Sequence, residues 1–137
     1  MAKKITYPAA YKVKVPFARS VVVGDIVFLS GCSGQTLETF HVSSNDVAEQ
    51  TQVALDKIRL ALEQAGTTMD NIVKTVLYLK NMEDYDKVEA KRQEYYRKYA
   101  PKLIEEPPAD TLVGVVGLHE PDMLVEIDAI AILPDKK

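Results

Sequence analysis

The 137-residue sequence has no tryptophan and a single cysteine, Cys32. One cysteine excludes a disulfide within the chain and a zinc site built on paired cysteines, and a reducing compartment is the simplest expectation. Only two histidines occur, His41 and His119. They stand far apart in loop-like sequence, so no metal site is expected. An excess of positive charge is also missing: 17 Lys+Arg against 20 Asp+Glu give a formal net charge of -3. No overall field exists to hold a polyanion through many phosphate contacts, which argues against general nucleic-acid binding. Nor is there an apolar run long enough to span a bilayer, and Met1-Ala2-Lys3-Lys4-Ile5 leads into polar, proline-containing sequence rather than a signal-like segment. No membrane association and a cytoplasmic location are the expectations.

What remains is a chain that is 47% apolar and 27% charged, without low-complexity runs, of a size for one core. A single domain over 1–137 is expected. Arg19–Val23 and Ile26–Ser30 read as strands joined by a Gly24-Asp25 turn, followed by a loop through Gly31-Cys32-Ser33-Gly34 to Asn45. From Val47 to Ala65 apolar residues recur at steps of three and four, an amphipathic helix with Ser43, Ser44 and Asn45 as capping candidates and Gly66 as its stop. Ile72–Leu79 reads as a strand with Val73, Thr75, Leu77 and Leu79 on one face and Lys74 on the other.

A second helix follows, on which Tyr85, Val88, Arg92, Tyr95, Tyr96 and Tyr99 share a face; Pro101 ends it. This tyrosine stripe is packing rather than a base-stacking platform. The paired prolines in Ile104–Ala109 predict a loop before a strand at Thr111–Val116. The last strand, Leu124–Leu133, sets Glu126 and Asp128 against Val125, Ile127 and Ala129. The order is β-β-α-β-α-β-β, an α+β fold with two helices on one face of a mixed sheet. Two helices cover one face only, and several strands are apolar on both, so a homo-oligomer is expected.

Pro16-Phe-Ala-Arg-Ser-Val-Val-Val-Gly-Asp-Ile-Val-Phe-Leu-Ser-Gly31, Gln50-Thr-x-x-Ala-Leu-x-x-Ile58, Ala65-Gly-Thr-x-Met-Asp-Asn-Ile-Val-Lys-Thr75 and Leu124-Val-Glu-Ile-Asp-Ala-Ile-Ala131 resemble the reactive-intermediate deaminase family, also called YjgF/RidA. The resemblance runs from Pro16 to Leu133 in order and spacing. It implies a chorismate-mutase-like subunit assembled as a homotrimer, its sheets forming a barrel with three clefts between neighbouring subunits. Active members hydrolyse 2-imino or 2-enamino acids to 2-keto acids and ammonia, with no metal or organic cofactor. An arginine in a Pro-x-Arg-Ser/Thr-x-Val segment grips the substrate carboxylate, a task suited to a bidentate guanidinium.

This chain reads Pro108-Ala-Asp110-Thr-Leu-Val113 there, an acid in the arginine's place. A substrate carboxylate ~4 Å from it would be repelled by about 1 to 4 kcal/mol, depending on the local dielectric. The chain therefore looks like an arginine-less branch. Phe17 stands where the family often has tyrosine, Cys32 where glutamine is common, and Glu89 where an asparagine falls on the second helix; Gly31 and Glu126 keep the family pattern. These six positions, together with Arg19, make the candidate site.

Glu126 resembles the family acid that positions or activates water. Asp110 is a general base, a binder of an amine-bearing ligand, or a loop residue capping nearby amides. Arg19 replaces the missing anchor, pairs with Asp110, or points to solvent. Cys32 is an exposed nucleophile or a small filler. Two functions follow: an enzyme acting on an imine, enamine or related C-N compound with an altered anchor, or a non-catalytic trimer binding a small metabolite or partner protein in the same clefts. Mutase-like pericyclic chemistry needs clustered positive charge that these acids do not supply.

Overall fold

The computed structural model describes residues 3–6 and 15–135; Met1 and Ala2 of the N-terminal expectation lie outside the described residues. The strands are β1 (Lys3–Thr6), β2 (Ser20–Val23), β3 (Ile26–Leu29), β4 (Cys32–Ser33), β5 (Ile72–Leu79), β6 (Ala109–Gly114) and β7 (Val125–Ile132). The helices are α1 (Val47–Ala65), α2 (Tyr85–Tyr99) and the one-turn α3 (Lys102–Glu105). All strands join one sheet of order β1-β2-β3-β7-β5-β6, with β4 on the same edge of β7 as β3. Only β5 and β6 run parallel, because α2 and α3 carry the chain back between them.

The alternation in β7 decides the architecture. Val125, Ile127, Ala129 and Ala131 are buried under the helices, while Glu126, Asp128, Ile130 and Ile132 point to the other face. Leu55, Ile58 and Leu62 of α1 and Val88, Tyr95 and Tyr96 of α2 complete that core with Leu77 and Leu79 of β5. Each fully buried Leu or Ile contributes about 1.5–3 kcal/mol to folding. No helix covers the opposite face, where Ile26, Phe28 and Ile132 remain more than 40% exposed.

Four details differ from the sequence reading. Asp46, not Ser43, Ser44 or Asn45, caps α1: its carboxylate accepts the Glu49 N–H at 3.1 Å, while Ser44 Oγ bonds the Glu49 carboxylate and accepts from the Asp46 N–H. The residue directly before the helix reaches the third amide best. Gly66 closes the helix as expected, in the left-handed conformation at φ 97°. Val73 is exposed rather than buried with Thr75, Leu77 and Leu79, because a bulge between Ile72 and Lys74 shifts the register. Lys102–Glu105 is helical and takes in Ile104 and Glu105 of the expected loop, and β6 runs Ala109–Gly114, starting directly after Pro108, rather than Thr111–Val116. β1 and β4 were absent from the expected order; both are short, and β4 has only two residues to show any alternation.

Candidate functional site

A break in pairing opens the main cavity. β3 leaves β7 after the Phe28–Ile130 pair, and β4 rejoins it at Cys32–Ile127, so Ser30 and Gly31 pass beside Asp128 and Glu126 outside the ladder. A Cβ on Gly31 would stand 2.7 Å from Asp128 Oδ1 and 3.0 Å from Glu126 Oε2, a space only glycine leaves. The gap belongs to a cavity of about 610 Å³ whose wall includes Phe17, Gly31, Lys57, His119 and Glu126.

Its outer wall is the segment after β4, tied down at several points. Gln35 Nε2 donates to the Phe40 carbonyl at 3.1 Å and to Glu120 Oε1 at 2.8 Å, and His41 Nδ1 lies 2.8 Å from Glu120 Oε2. Beneath it the buried Gln50 donates to the Ser44 and Asp122 carbonyls at 2.8 and 2.9 Å and accepts the Leu124 N–H at 2.9 Å. One α1 side chain thus joins the loop, the turn before β7 and the helix.

Two charged groups on the cavity wall, Glu126 and Lys57, are shifted by their surroundings. Burial pushes the Glu126 carboxyl above the usual range, and the like charge of Asp128 adds to it, against opposing pulls from Lys57, Arg19 and His119. Asp128 itself accepts a 3.1 Å hydrogen bond from the Tyr78 hydroxyl. Burial lowers Lys57 to about 8, with Cys32 and Glu126 holding it up and Arg19 pressing it down. The Lys57 Nζ donates to the Gln35 carbonyl at 2.7 Å. Arg19 is 3% exposed and donates to the Ser30 carbonyl at 2.9 Å, bracing the segment between β3 and β4 that carries Gly31. Cys32 is fully buried with its thiol pushed up by desolvation, the setting of a filler and not of an exposed nucleophile.

Asp110 lies elsewhere. Thr75 faces the helices, its parallel partner Asp110 shares that face, and α2 lays Arg92 over both. The guanidinium meets Asp110 through two bonds, Nη1 to Oδ1 at 3.1 Å and Nη2 to Oδ2 at 3.2 Å, and Nη2 also reaches Glu89 Oε2 at 2.6 Å. Thr75 Oγ1 donates to Asp110 Oδ1 at 2.6 Å. Burial pushes the Asp110 carboxyl up, but the bonds from Arg92 and Thr75 and the charges of Arg92 and Lys74 outweigh it and hold the carboxyl below its usual range. This cluster lines a second, smaller cavity of about 130 Å³ with Tyr85, Tyr96 and Pro108.

Within one chain, then, Phe17, Gly31 and Glu126 share a cavity, with Arg19 and Cys32 buried behind its wall, whereas Asp110 and Glu89 share the other. Arg19 is not the partner of Asp110; Arg92 is. Lys57 and Arg92 went unassigned in the sequence reading. Their signal was a cation on the buried face of an amphipathic helix, which is costly unless it has partners or a task. Among the described residues, no group of three or more His, Cys, Asp or Glu could hold a metal ion, and no helix is long and apolar enough to cross a membrane.

The fold and the cavity define an α+β subunit with one carboxyl, Glu126, on its cavity wall and a bare sheet face. The family model described as Endoribonuclease L-PSP matches residues 7–133. A RutC family protein of Pyrococcus abyssi is 33% identical over 132 residues, covering 96% of this chain and 98% of that one. The 2-iminobutanoate/2-iminopropanoate deaminase of Escherichia coli is 30% identical over 132 residues, with the same coverage. Among solved structures, the conserved Rid family protein YyfA of Yersinia pestis superposes with a TM-score of 0.84 at 28% identity, covering 96% of this chain and all of that one. The YjgF gene product of Escherichia coli gives a TM-score of 0.82 at 29% identity, covering 96% and 98%. The chain belongs to the YjgF/RidA family.

Proposed function

We propose that the protein hydrolyses an imine, enamine or related C-N compound in clefts between the subunits of a homotrimer, with Glu126 orienting the attacking water. The observation that carries this reading is Glu126 itself: a half-buried carboxyl, raised by burial and by Asp128, on the wall of a cavity large enough for a small metabolite. A carboxyl raised above the ordinary range by burial is a stronger base toward water than an exposed one, which is what water activation requires. The deaminase named among the relatives acts, by its name, on 2-iminobutanoate and 2-iminopropanoate. Carrying that chemistry here needs one change.

The change is at the anchor. Asp110, Glu89 and Arg92 sum to one net negative charge where the family resemblance calls for a free guanidinium, and Arg92 is committed to its two acids. A simple 2-imino acid would bring its carboxylate to that cluster. An imine that is uncharged, or carries an amine at the far end, meets no such repulsion. β6 is the sheet edge, with Asp110 partly exposed along it, which supports an arrangement in which Asp110 of one subunit closes the Glu126 cavity of the next.

The test is the hydrolysis rate of imines generated in place by amine and amino-acid oxidases, read as loss of semicarbazone trapping. Imines without a carboxylate are expected to be hydrolysed faster than 2-iminopropanoate, and Glu126→Gln is expected to abolish the difference from buffer. No acceleration of any imine by folded wild-type protein would overturn the hydrolase and leave a ligand-binding trimer.

A further inference from the structure

Lys57 sits on the buried face of α1, 4% exposed, and its side chain forms part of the wall of the Glu126 cavity. An ammonium offers three donors. Among the described residues it has one hydrogen-bond acceptor, the Gln35 carbonyl, and no carboxylate within ion-pair distance. A lysine kept from water with a single neutral acceptor favours the uncharged amine, whose lone pair is a nucleophile toward carbonyl carbon. The lowering to about 8 agrees with that setting. The same cavity holds what such an amine needs. Glu126 supplies a carboxyl that carries a proton above the ordinary range, Ser30 and Ser33 line the wall, and about 610 Å³ of space admits a small ligand.

We propose that Lys57 is a nucleophilic amine that forms a covalent imine with a small aldehyde, ketone or imine ligand in the Glu126 cavity. The neutral Nζ attacks the carbonyl carbon, the carbon–oxygen π pair moves to oxygen, and that oxygen takes a proton from the Glu126 carboxyl. Nitrogen loses its protons as the carbinolamine expels water, leaving a C=N bond to Lys57 and Glu126 reprotonated. An imine ligand reacts in the same way but expels ammonia instead of water. Addition of water then breaks the bond to Nζ, releases the carbonyl product and restores the amine. In this last form the inference rests on the hydrolase reading above. A covalent tether would hold the substrate where the family's carboxylate grip is replaced by Asp110.

The test uses the whole protein, propanal and pyruvate as separate probes, and sodium borohydride to reduce any imine to a stable secondary amine, followed by peptide mapping. Labelling is expected to concentrate on Lys57, to rise with pH about a midpoint near 8, and to disappear in Lys57→Met. Mapping separates this amine from the N-terminal one, whose ordinary pKa is also about 8. The wild-type map needs no variant to be folded. Labels spread over exposed lysines such as Lys87 and Lys98, with Lys57 unmodified, would overturn the proposal even if imine hydrolysis is observed. Lys57 labelling without imine turnover would uphold it as a carbonyl-capturing amine and overturn the hydrolase.

Discussion

Arg92 holds Asp110 in a two-point ion pair, at 3.1 and 3.2 Å, while keeping Glu89 at 2.6 Å on the same guanidinium. Arg92 is 5% exposed at its side chain and Asp110 32%, so removing either partner has unequal consequences. Asp110→Asn leaves the arginine paired with Glu89 and is expected to cost about 1–3 kcal/mol, the scale of a charge-assisted bond. Arg92→Met takes the shared cation from both Asp110 and Glu89 and leaves two like charges beside each other, so it is expected to cost more than Asp110→Asn. Urea unfolding of the two variants checks the order. Equal losses would mean that the Asp110 pair accounts for all the stabilisation Arg92 supplies and that its bond to Glu89 adds nothing.

The same pair sets an acid limit. A carboxyl whose folded pKa is depressed adds stability above its unfolded value, and that stability drains as pH falls through the folded one. Asp110 is held below 3.8, so its contribution is complete at neutral pH and lost only under more acidic conditions. The wild type and Asp110→Asn are expected to converge in urea midpoint below about pH 3.8 and to differ by a constant amount from pH 5 to 7. A difference that persisted unchanged at the acid end would show that the ionised carboxylate is not what Arg92 and Thr75 stabilise.

Much of this fold was legible because period and punctuation agree. Val47–Ala65 carries a helical apolar period between Asp46 and Gly66, and β7 alternates without interruption. The bare sheet face followed from counting helices against strands. What stayed hidden was pairing across the fold. Nothing near Asp110 in sequence shows that a residue 18 positions earlier will ion-pair with it, since α2 must first lie down on β5 and β6. The bulge that exposes Val73 is likewise a matter of register, invisible in a run of β-formers. Glu126 and Gly31, which share a cavity wall, were named through their family pattern; Lys57 on the same wall was passed over because a lysine within a helix reads as surface.

Glu126→Gln separates stability from activity. The Glu126 carboxyl is raised in the folded state, by burial first, so ionising it works against folding. A raised group contributes fully below its unfolded pKa of about 4.3 and loses that contribution as pH rises through the folded value. At pH 7 the wild type therefore carries a penalty that glutamine removes. The variant is expected to melt higher than wild type at pH 7, to match it near pH 4, and to lose imine hydrolysis at both. A lower melting temperature at pH 7 would mean that the carboxylate is stabilised by partners in the assembled protein.

Gly31→Ala tests whether the two carboxylates are packed against the backbone. The new methyl would meet Asp128 Oδ1 at 2.7 Å and Glu126 Oε2 at 3.0 Å, so at least one side chain must turn away. Overpacking of this kind costs about 1–3 kcal/mol. The expected result is a modest loss in urea stability with a much larger loss of any Glu126-dependent turnover, measured side by side. Turnover that falls only as far as stability does would place Gly31 in the scaffold and not at the reacting centre.

The uncovered sheet face makes the last expectation. Ile26, Phe28 and Ile132 are 44, 42 and 42% exposed and neighbour one another through the β3–β7 register, in which Ile26 is paired with Ile132 and Phe28 with Ile130. Apolar side chains clustered on a sheet with no helix over them are characteristic of an interface between copies. Phe28 lies at its middle, away from the hydrophobic core, so Phe28→Asp should leave the subunit's own packing intact while burying a charge in any face-to-face assembly. Light scattering on the eluted peak is expected to give a trimer for wild type and a monomer for Phe28→Asp. If Glu126 needs a neighbouring subunit to close its cavity, the monomer should keep its far-ultraviolet circular dichroism and lose imine hydrolysis. A folded, fully active monomer would place the whole reaction within one chain.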